Sequence, residues 1–230
     1  IVEDNGKVWQ PKNYDGKYRD QVALIDALVK SLNIPTVNLG MAIGLDNVAE
    51  VMHLLGYPED IVLRPSMLLG AVNMSPLQVN QFYLPIANRG HYVEAHAIDK
   101  VVSARGETLW QFTANNSAYF SEQATYLVDY ALSRVTEQGT ASSLTWRLNN
   151  KVIAGKTGTA QQPKKGKYSR VKINTFASIF PSSKPQYAFI VMLDSPKTSS
   201  SYIYDYRHKD GTQTGTPYNT AGWTSVEVAG

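Results

Sequence analysis

Apolar residues recur at helical spacing in several parts of the chain. In residues 20–32 they follow the three- and four-residue steps of one helical face. We expect this helix to end near Ser31-Leu32-Asn33, because Pro35 disfavours helical geometry at the residue before it. The same spacing, with a glycine after the last apolar residues, predicts further helices at 46–55, 75–88 and 121–138.

Capping residues strengthen the prediction of the third helix. Ser75 and Gln78 have the spacing of a capping box, and Pro76 stands at the first helical position, where a missing N–H does no harm. For the fourth helix, the apolar spacing predicts a face formed by Leu127, Ala131 and Val135.

Strand-like segments dominate the second half of the chain. Residues 98–103 and 108–112 flank Arg105-Gly106 and predict a hairpin. Three longer runs follow at 151–159, 171–180 and 187–194, and their short connections favour antiparallel pairing. Because helices come first and strands last, we predict an α+β fold. Residues 195–223 show no sustained period and are interpreted as a long surface loop.

The composition is that of a globular protein without a strong electrostatic preference. The chain has 230 residues, 43% of them hydrophobic, and a net charge of +3, so a substantial core is expected. We predict no nucleic-acid partner, and the basic run at 164–172 is interpreted as a solvated hairpin tip. The absence of cysteine excludes disulfides and thiolate metal sites. No apolar run approaches the roughly 20 residues of a membrane span.

We predict neither a metal site nor a cofactor. None of the histidines has the i,i+4 spacing of a helical zinc pair. The carboxylates form no paired acid–base constellation in the sequence. The histidines are therefore interpreted as isolated polar or packing residues: His53, His91, His96 and His208.

Gly155-Lys156-Thr157 matches the end of the phosphate-binding pattern G-x-x-x-x-G-K-[ST]. The first glycine of that pattern would fall at position 150, which is Asn150. A helix should begin directly after the loop, but Gly158 and Pro163 lie in sequence that forms helices poorly. We therefore do not predict nucleotide binding.

Two other segments carry candidate chemistry. Ser31-Leu32-Asn33 places a hydroxyl and an amide two residues apart, and Lys156-Thr157-Gly158-Thr159 lies on a predicted strand. Each has an ordinary explanation alone, because Ser and Asn often end helices, and a strand glycine permits a close approach of backbone or ligand. In this order they are two of the three marks of penicillin-interacting serine enzymes.

Longer stretches extend this resemblance. The segments "NGKVWQPKNYDGKYRDQVALIDALVKSLN", "MLLGAVNMSPLQV" and "EQGTAS" closely resemble the transpeptidase domain of bifunctional class A penicillin-binding proteins. The similarity covers most of residues 1–159. In residues 160–230, the segments "INTFASIFPSSKPQYAFIVMLDSPK" and "YNTAGWTSVEVAG" look more like monofunctional class B proteins of the cell-division type. Asn174-Thr175-Phe176 stands where class A relatives usually have an Asp-x-Trp-Phe-like segment. A divergent natural sequence, a fusion and a designed recombinant all fit this pattern.

The resemblance implies roles for the matching residues. Ser31 would relay a proton towards the leaving amine, and Asn33 would bind the amide of the stem peptide and help to hold the general-base lysine. Lys156 would supply positive potential near Ser31 and the substrate carboxylate, which Thr157 and Thr159 would also bind. The backbone N–H of Thr159 would form part of the oxyanion hole. We expect Ser31 Oγ and Lys156 Nζ to lie about 3 Å apart, or one water apart.

The nucleophile of this family is the serine of a Ser-x-x-Lys motif that precedes the Ser-x-Asn element. The one match in the sequence, Ser169-Arg170-Val171-Lys172, follows the Lys-Thr-Gly strand and begins a predicted strand itself. We interpret it as a coincidence and expect the catalytic serine upstream of Ile1. Residues 1–230 are thus predicted to form a single transpeptidase domain that is truncated at its N-terminus.

The activity implied is D,D-transpeptidation, which cross-links peptidoglycan stem peptides that end in D-Ala-D-Ala and is blocked by β-lactams. We expect no turnover by this chain alone, and a membrane-anchored parent chain at the periplasmic face of the inner membrane. Alternatives within the fold are a penicillin-binding sensor or scaffold domain, a carboxypeptidase and a β-lactamase. An unrelated α+β protein with accidental motifs is the remaining alternative.

Overall fold

The computed structural model describes residues 2–4, 6–149, 152–164, 167–197, 204–208, 211–215 and 219–230. Its centre is an antiparallel sheet in the order β5-β6-β7. These strands are β5 Ala154–Lys164, β6 Lys167–Phe180 and β7 Tyr187–Asp194. The three predicted runs and their antiparallel pairing are confirmed, while Lys151, the predicted start of the first run, lies outside the described residues.

Helices pack on this sheet and on one another. They are α1 Leu24–Val29, α2 Asn33–Ile43, α3 Leu45–Leu54, α4 Pro76–Ala87, α5 Glu122–Gln138, α6 Ser143–Arg147 and α7 Ser225–Ala229. Helix α5 packs on β5, α4 on β7, and α7 on both β6 and β7. Within the described ranges, every helix is too short or too polar to cross a bilayer. The predicted α+β class is confirmed by this arrangement.

Short antiparallel hairpins lie outside the central sheet. They pair β1 Val2–Asp4 with β2 Lys7–Trp9, β3 Lys100–Val102 with β4 Thr108–Gln111, and β8 Tyr204–His208 with β9 Gly211–Gly215. The β3–β4 pair confirms the hairpin predicted around Arg105-Gly106, and Gly106 has a φ of 83°. The first hairpin was not predicted from the sequence.

The core lies between the sheet and the helices. Phe176 in β6 is 1% exposed and belongs to a cluster with residues of α1, α5, α6, α7 and the loop between α5 and α6: Val29, Val135, Leu144, Val226 and Ala141. A second cluster joins Leu132 of α5 to Ala154 and Ile179 of the sheet. Burial of the larger apolar side chains, each worth about 1.5–3 kcal/mol, holds α5 against the strand that carries Lys156.

Several predicted helix ends are confirmed. The Gln78 N–H donates to Ser75 Oγ at 3.2 Å, and the Ser75 N–H donates to Gln78 Oε1 at 2.7 Å. Helix α3 begins one residue before the predicted start. Helix α5 begins after Ser121, whose hydroxyl accepts from the Ala124 N–H, and ends at Gly139 as predicted.

The predicted helix at 20–32 is wrong in its extent. Helix α1 ends at Val29, and after a short turn a new helix, α2, begins at Asn33. Pro35 does not prevent helical geometry at Ile34, because it lies in the first turn of α2, where the backbone N–H has no partner within the helix. The Ser-Leu-Asn segment therefore joins two helices instead of closing one.

Two further predictions are corrected by the structure. On the predicted face of α5, Val135 is fully buried as expected, but Leu127 is 64% exposed. The helix also buries Leu132 and hydroxyl residues such as Thr136, whose Oγ1 donates to the Ser133 carbonyl at 2.8 Å. The predicted loop at 195–223 contains the β8–β9 hairpin and a 3₁₀ helix, Ala221–Trp223. Parts of that segment, at 198–203, 209–210 and 216–218, lie outside the described residues.

Candidate active site

The turn between α1 and α2 carries Ser31 in a strained conformation. Its φ is 53°, in the left-handed region that residues other than glycine rarely adopt. The Ser31 N–H donates to the Leu28 carbonyl at 3.0 Å, and the next N–H, of Leu32, donates to the Ala27 carbonyl at 2.8 Å. Leu32 is fully buried. The surrounding structure therefore holds Ser31 in place against the strain, as is common at functional sites.

Lys156 of β5 reaches this turn. Its Nζ donates to Ser31 Oγ at 2.7 Å and to the Thr157 carbonyl at 2.9 Å. The two side chains come from positions 125 residues apart, and the predicted distance between their atoms is confirmed. Strand β5 continues through Gly155-Lys156-Thr157 without starting a helix, as the sequence predicted.

The ammonium group of Lys156 is poorly solvated. Burial lowers the pKa of Lys156 from 10.5 to about 8. Its hydrogen-bond partners are a hydroxyl and a carbonyl, which stabilise the charge less than a carboxylate would. A lysine with this pKa can both donate and accept a proton near neutral pH, which suits proton transfer.

The lowered pKa predicts how Lys156 affects stability. Between pH 8 and 10.5 the unfolded chain binds more protons at Lys156 than the folded chain does, so the contribution of Lys156 to the free energy of unfolding rises with pH in this window. We expect Lys156→Met to increase the free energy of unfolding most at pH 7, and the increase to shrink towards pH 10. Urea unfolding of both chains at several pH values measures this, and a pH-independent difference would contradict it.

A cleft of about 830 Å³ opens beside Ser31. Its walls include Asn33 at the start of α2 and Thr157 and Thr159 of β5. Gly158 lies between these two threonines on the strand. The structure therefore brings all the predicted site residues together. Lys156 reaches the cleft through its hydrogen bond to Ser31, which lines the cleft.

Asn13 supports the start of α2 and was not predicted from the sequence. It is 5% exposed, and its Oδ1 accepts from the Ile34 N–H at 3.0 Å while its Nδ2 donates to the Lys17 carbonyl at 2.8 Å. This fixes a loop whose Lys12 carbonyl accepts from Asn33 Nδ2 at 2.8 Å. The amide of Asn33 is thus oriented by the segment that precedes α1.

The hydroxyls of Thr157 and Thr159 have different partners. Thr157 Oγ1 lies 2.6 Å from Thr140 Oγ1, in the loop that follows α5. Thr159 Oγ1 accepts from the Ala221 N–H at 2.9 Å. Both side chains are therefore held by neighbouring elements, and neither contact has a signal in the sequence.

A buried polar network holds the 3₁₀ helix Ala221–Trp223 beside the cleft. Asn174 of β6 is fully buried, and its Nδ2 donates to Thr224 Oγ1 at 2.7 Å and to Asn219 Oδ1 at 3.0 Å. Lys172 Nζ donates to the Asn219 carbonyl at 2.7 Å. Lys172 therefore holds this wall of the cleft in place. Its position on strand β6 agrees with the interpretation of Ser169-Arg170-Val171-Lys172 as a coincidence.

The two glycines of the Lys-Thr-Gly region have different surroundings. A Cβ at Gly155 would lie 2.7 Å from Phe176 Cζ and 2.9 Å from the Ala177 carbonyl oxygen. A Cβ at Gly158 would meet only the Thr175 Cβ, at an ordinary 3.8 Å. The fold therefore requires the glycine at 155, whereas the space above Gly158 is open to a ligand.

These surroundings predict opposite effects for two alanine substitutions. Gly155→Ala is expected to lower the free energy of unfolding by about 1–3 kcal/mol, because the new methyl group overlaps the Phe176 ring and a backbone oxygen. Gly158→Ala is expected to leave it nearly unchanged and to weaken binding of a D-Ala-D-Ala peptide. Urea unfolding and peptide titration of both variants measure this. Equal loss of stability in the two variants would contradict it.

Comparisons with known proteins agree with the family resemblance seen in the sequence. A family model described as penicillin binding protein transpeptidase domain matches residues 1–211. Penicillin-binding protein 1B of Escherichia coli is 40% identical over 162 residues, which cover 69% of this chain and 19% of that protein. Penicillin-binding protein 3 of Mycobacterium tuberculosis, solved with aztreonam, is 26% identical, with a TM-score of 0.66. The match covers 75% of this chain and 45% of the chain in that structure.

A third match extends the likeness in fold alone. The penicillin G acyl-enzyme of penicillin-binding protein A from M. tuberculosis has a TM-score of 0.68 at 18% identity. The match covers 84% of this chain and 48% of the chain in that structure. The chain spans about a fifth of the length of the curated relatives that it matches. The likeness to class A proteins is confirmed, and the class B likeness of residues 160–230 stays a prediction. By the match over residues 1–211, the chain belongs to the transpeptidase domain family of penicillin-binding proteins.

Proposed function

We propose that this chain forms the substrate-binding and proton-transferring walls of a peptidoglycan D,D-transpeptidase. The observation that carries the proposal is the 2.7 Å hydrogen bond from Lys156 Nζ to Ser31 Oγ. It lies beside a cleft that Asn33, Thr157 and Thr159 also line. A hydroxyl bonded to a lysine with a pKa of about 8 suits the transfer of a proton to a leaving amine.

The cleft suits a peptide that ends in a carboxylate. Lys156 supplies positive potential, and the hydroxyls of Thr157 and Thr159 are hydrogen-bond donors for the carboxylate oxygens. Strand β5 is an edge strand of its sheet, so alternate backbone groups face away from β6 and are able to pair with an extended peptide. The substrate proposed is a stem peptide ending in D-Ala-D-Ala.

The proposed reaction has two steps. A serine oxygen loses its proton to the general-base lysine of its motif and attacks the penultimate D-Ala carbonyl. The C–N bond breaks, and the departing D-Ala nitrogen takes the Ser31 hydroxyl proton, which Lys156 replaces. The amine of a second stem peptide then attacks the ester and returns a proton to Lys156 through Ser31, while the serine takes back its proton from the general-base lysine as it is released and the cross-link forms. The serine would belong to a Ser-x-x-Lys motif, and its position upstream of Ile1, with 1–230 as a truncated single domain, stays a prediction.

β-Lactams are proposed as ligands of the same cleft. Two matching structures are described as a complex with aztreonam and as a penicillin G acyl-enzyme, and a β-lactam combines an acylating carbonyl with an anionic group near the ring nitrogen, as the peptide combines its scissile carbonyl with a carboxylate. Because peptidoglycan is cross-linked outside the cytoplasm, we place the reaction at the periplasmic face of the inner membrane, in a membrane-anchored parent chain.

Fluorescent penicillin tests the proposal in two proteins. A protein that joins this domain to a preceding Ser-x-x-Lys segment is expected to be labelled covalently, and excess penicillin G should block the label. The 230-residue chain is expected to remain unlabelled but to bind diacetyl-Lys-D-Ala-D-Ala reversibly in an NMR titration, with no binding of the L-Ala-L-Ala isomer. If the first protein is not labelled and the chain binds neither peptide, the proposal is wrong. Labelling of the chain at Ser31 or Ser169 would overturn the predicted place of the nucleophile.

A further inference from the structure

Thr140 makes the closest side-chain contact to the proposed carboxylate site from outside β5. Its Oγ1 lies 2.6 Å from Thr157 Oγ1, and either atom is able to donate the hydrogen. Both residues line the cleft. The sequence segment "EQGTAS" contributed to the family resemblance, but it gave Thr140 no chemical role.

The fold fixes the position of Thr140 from both sides. The preceding Gly139 ends α5, and a Cβ there would lie 2.5 Å from the Val29 carbonyl oxygen of α1. The following residue, Ala141, is fully buried. A Cβ at Gly222 would lie 2.7 Å from the Thr140 carbonyl oxygen. Close packing against α1 and the 3₁₀ helix thus leaves Thr140 little freedom to move away from Thr157.

The direction of the hydrogen bond between the two hydroxyls decides what Thr157 offers to the cleft. Each hydroxyl has one hydrogen and two lone pairs. If Thr157 donates to Thr140, it presents only lone pairs to a ligand, and these repel a carboxylate. If Thr140 donates, Thr157 keeps its own hydrogen for the carboxylate. A bound carboxylate therefore selects the arrangement in which Thr140 is the donor.

Thr159 shows the same arrangement without ambiguity. Its Oγ1 accepts from the Ala221 N–H at 2.9 Å, and a backbone N–H is only ever a donor. The Thr159 hydrogen is therefore available to a ligand. Each of the two β5 hydroxyls that line the cleft thus has a hydrogen-bond partner outside the strand. The partner of Thr157 is in the loop after α5, and the partner of Thr159 is in the 3₁₀ helix.

We propose that Thr140 is a positioning residue, which donates its hydroxyl hydrogen to Thr157 Oγ1 and thereby directs the Thr157 hydrogen at the carboxylate of the bound peptide. The inference rests on the proposed function. It adds that the affinity for the carboxylate depends on a side chain that does not touch the ligand. A chain of two hydroxyls also polarises the terminal donor, which strengthens its bond to an anion.

The test is a titration of the 230-residue chain with diacetyl-Lys-D-Ala-D-Ala and with its C-terminal carboxamide. Thr140→Val removes the hydroxyl without changing the side-chain shape. We expect it to raise the Kd of the carboxylate peptide about three- to tenfold, the range of one oriented hydrogen bond. The Kd of the carboxamide peptide should rise by less than about twofold, because a neutral oxygen is a weaker acceptor. Thr140→Ser, which keeps the hydroxyl, should restore the wild-type Kd.

A matched substitution controls for the loss of a hydroxyl elsewhere. Thr145 Oγ1 donates to the Thr136 carbonyl at 2.8 Å, and Thr145→Val is expected to leave both Kd values unchanged. In a Thr157→Val background, Thr140→Val should have no further effect, because its influence passes through Thr157. Thermal unfolding of each variant checks that the chain is folded during the titration.

Three outcomes overturn the inference. The first is equal weakening of both peptides by Thr140→Val, which indicates a structural role. The second is no weakening of either peptide, and the third is an effect of Thr140→Val that persists in the Thr157→Val background. The variants Lys156→Met and Thr157→Val separate this failure from failure of the proposed function. If these two weaken the carboxylate peptide and Thr140→Val does not, only the inference is wrong. If none of the three does, the cleft does not bind the carboxylate and the proposed function is wrong as well.

Discussion

Lys156→Met is expected to lower the second-order rate constant for acylation by penicillin by about 10²–10⁴-fold, the usual contribution of general acid–base catalysis. The expectation applies to a protein that joins this domain to a Ser-x-x-Lys segment. The substitution removes the group that donates to Ser31 Oγ at 2.7 Å, so the proton that Ser31 passes to the leaving nitrogen is not replaced. It also removes the positive charge beside the proposed carboxylate site. Stopped-flow labelling with a fluorescent penicillin measures the rate constant.

Lys172→Met is the matched control for this experiment. Lys172 also lines the cleft, but its Nζ donates to the Asn219 carbonyl and does not contact Ser31 in the structure. We expect its substitution to change the rate constant by less than about tenfold, since it removes positive charge near the cleft without removing the proton donor. In the unsubstituted protein, the rate constant should also change with pH near the Lys156 pKa of about 8. Equal effects of the two substitutions would contradict the role assigned to Lys156.

Phe176→Ala is expected to lower the free energy of unfolding by about 3–5 kcal/mol, as is usual for a large aromatic residue in a core. Phe176 is 1% exposed and joins the sheet to the helices around it. Its ring lies against Gly155, and in the sheet it pairs with Thr157, so the cavity would form beneath the strand that carries the site. For a chain of this length the melting temperature should fall by about 6–20 °C. Thermal and urea unfolding measure both quantities.

Phe189→Ala is the control for the loss of an aromatic ring. Phe189 lies on the neighbouring strand β7 and is 36% exposed, so water already solvates part of its ring. We expect its substitution to lower the free energy of unfolding by at most about two-thirds as much, in proportion to the smaller buried area. If the two substitutions destabilise the chain equally, the assignment of Phe176 to the centre of the core is wrong.

The parts of the fold that the sequence predicted correctly depend on local signals. The capping box at Ser75 and the glycine after α5 act on the backbone within a few residues, so they mark helix ends without knowledge of the tertiary structure. The start of α2 was missed because Pro35 has two opposite meanings. A proline ends a preceding helix and also fits the first turn of a new one, and only the position of the turn decides between them.

Long-range contacts explain what the sequence did not reveal about the site. The proximity of Ser31 and Lys156 was expected because the family resemblance joins their two segments. Asn13 and Thr140 have no such motif, and their roles follow from hydrogen bonds to Ile34 and Thr157, 21 and 17 residues away in the chain. The exposure of Leu127 has a similar cause, since helical spacing identifies an apolar face but not the side of the helix that packs on the sheet.

At position 31, the left-handed backbone means that stability and chemistry favour different residues. Glycine adopts a φ of 53° without the steric penalty that a Cβ brings, so a directed-evolution campaign that selects only for heat resistance would favour glycine there. Any such campaign would remove the hydroxyl that Lys156 contacts while leaving the chain folded. Libraries built to make this domain more robust should therefore keep position 31 invariant, or screen each round for penicillin binding.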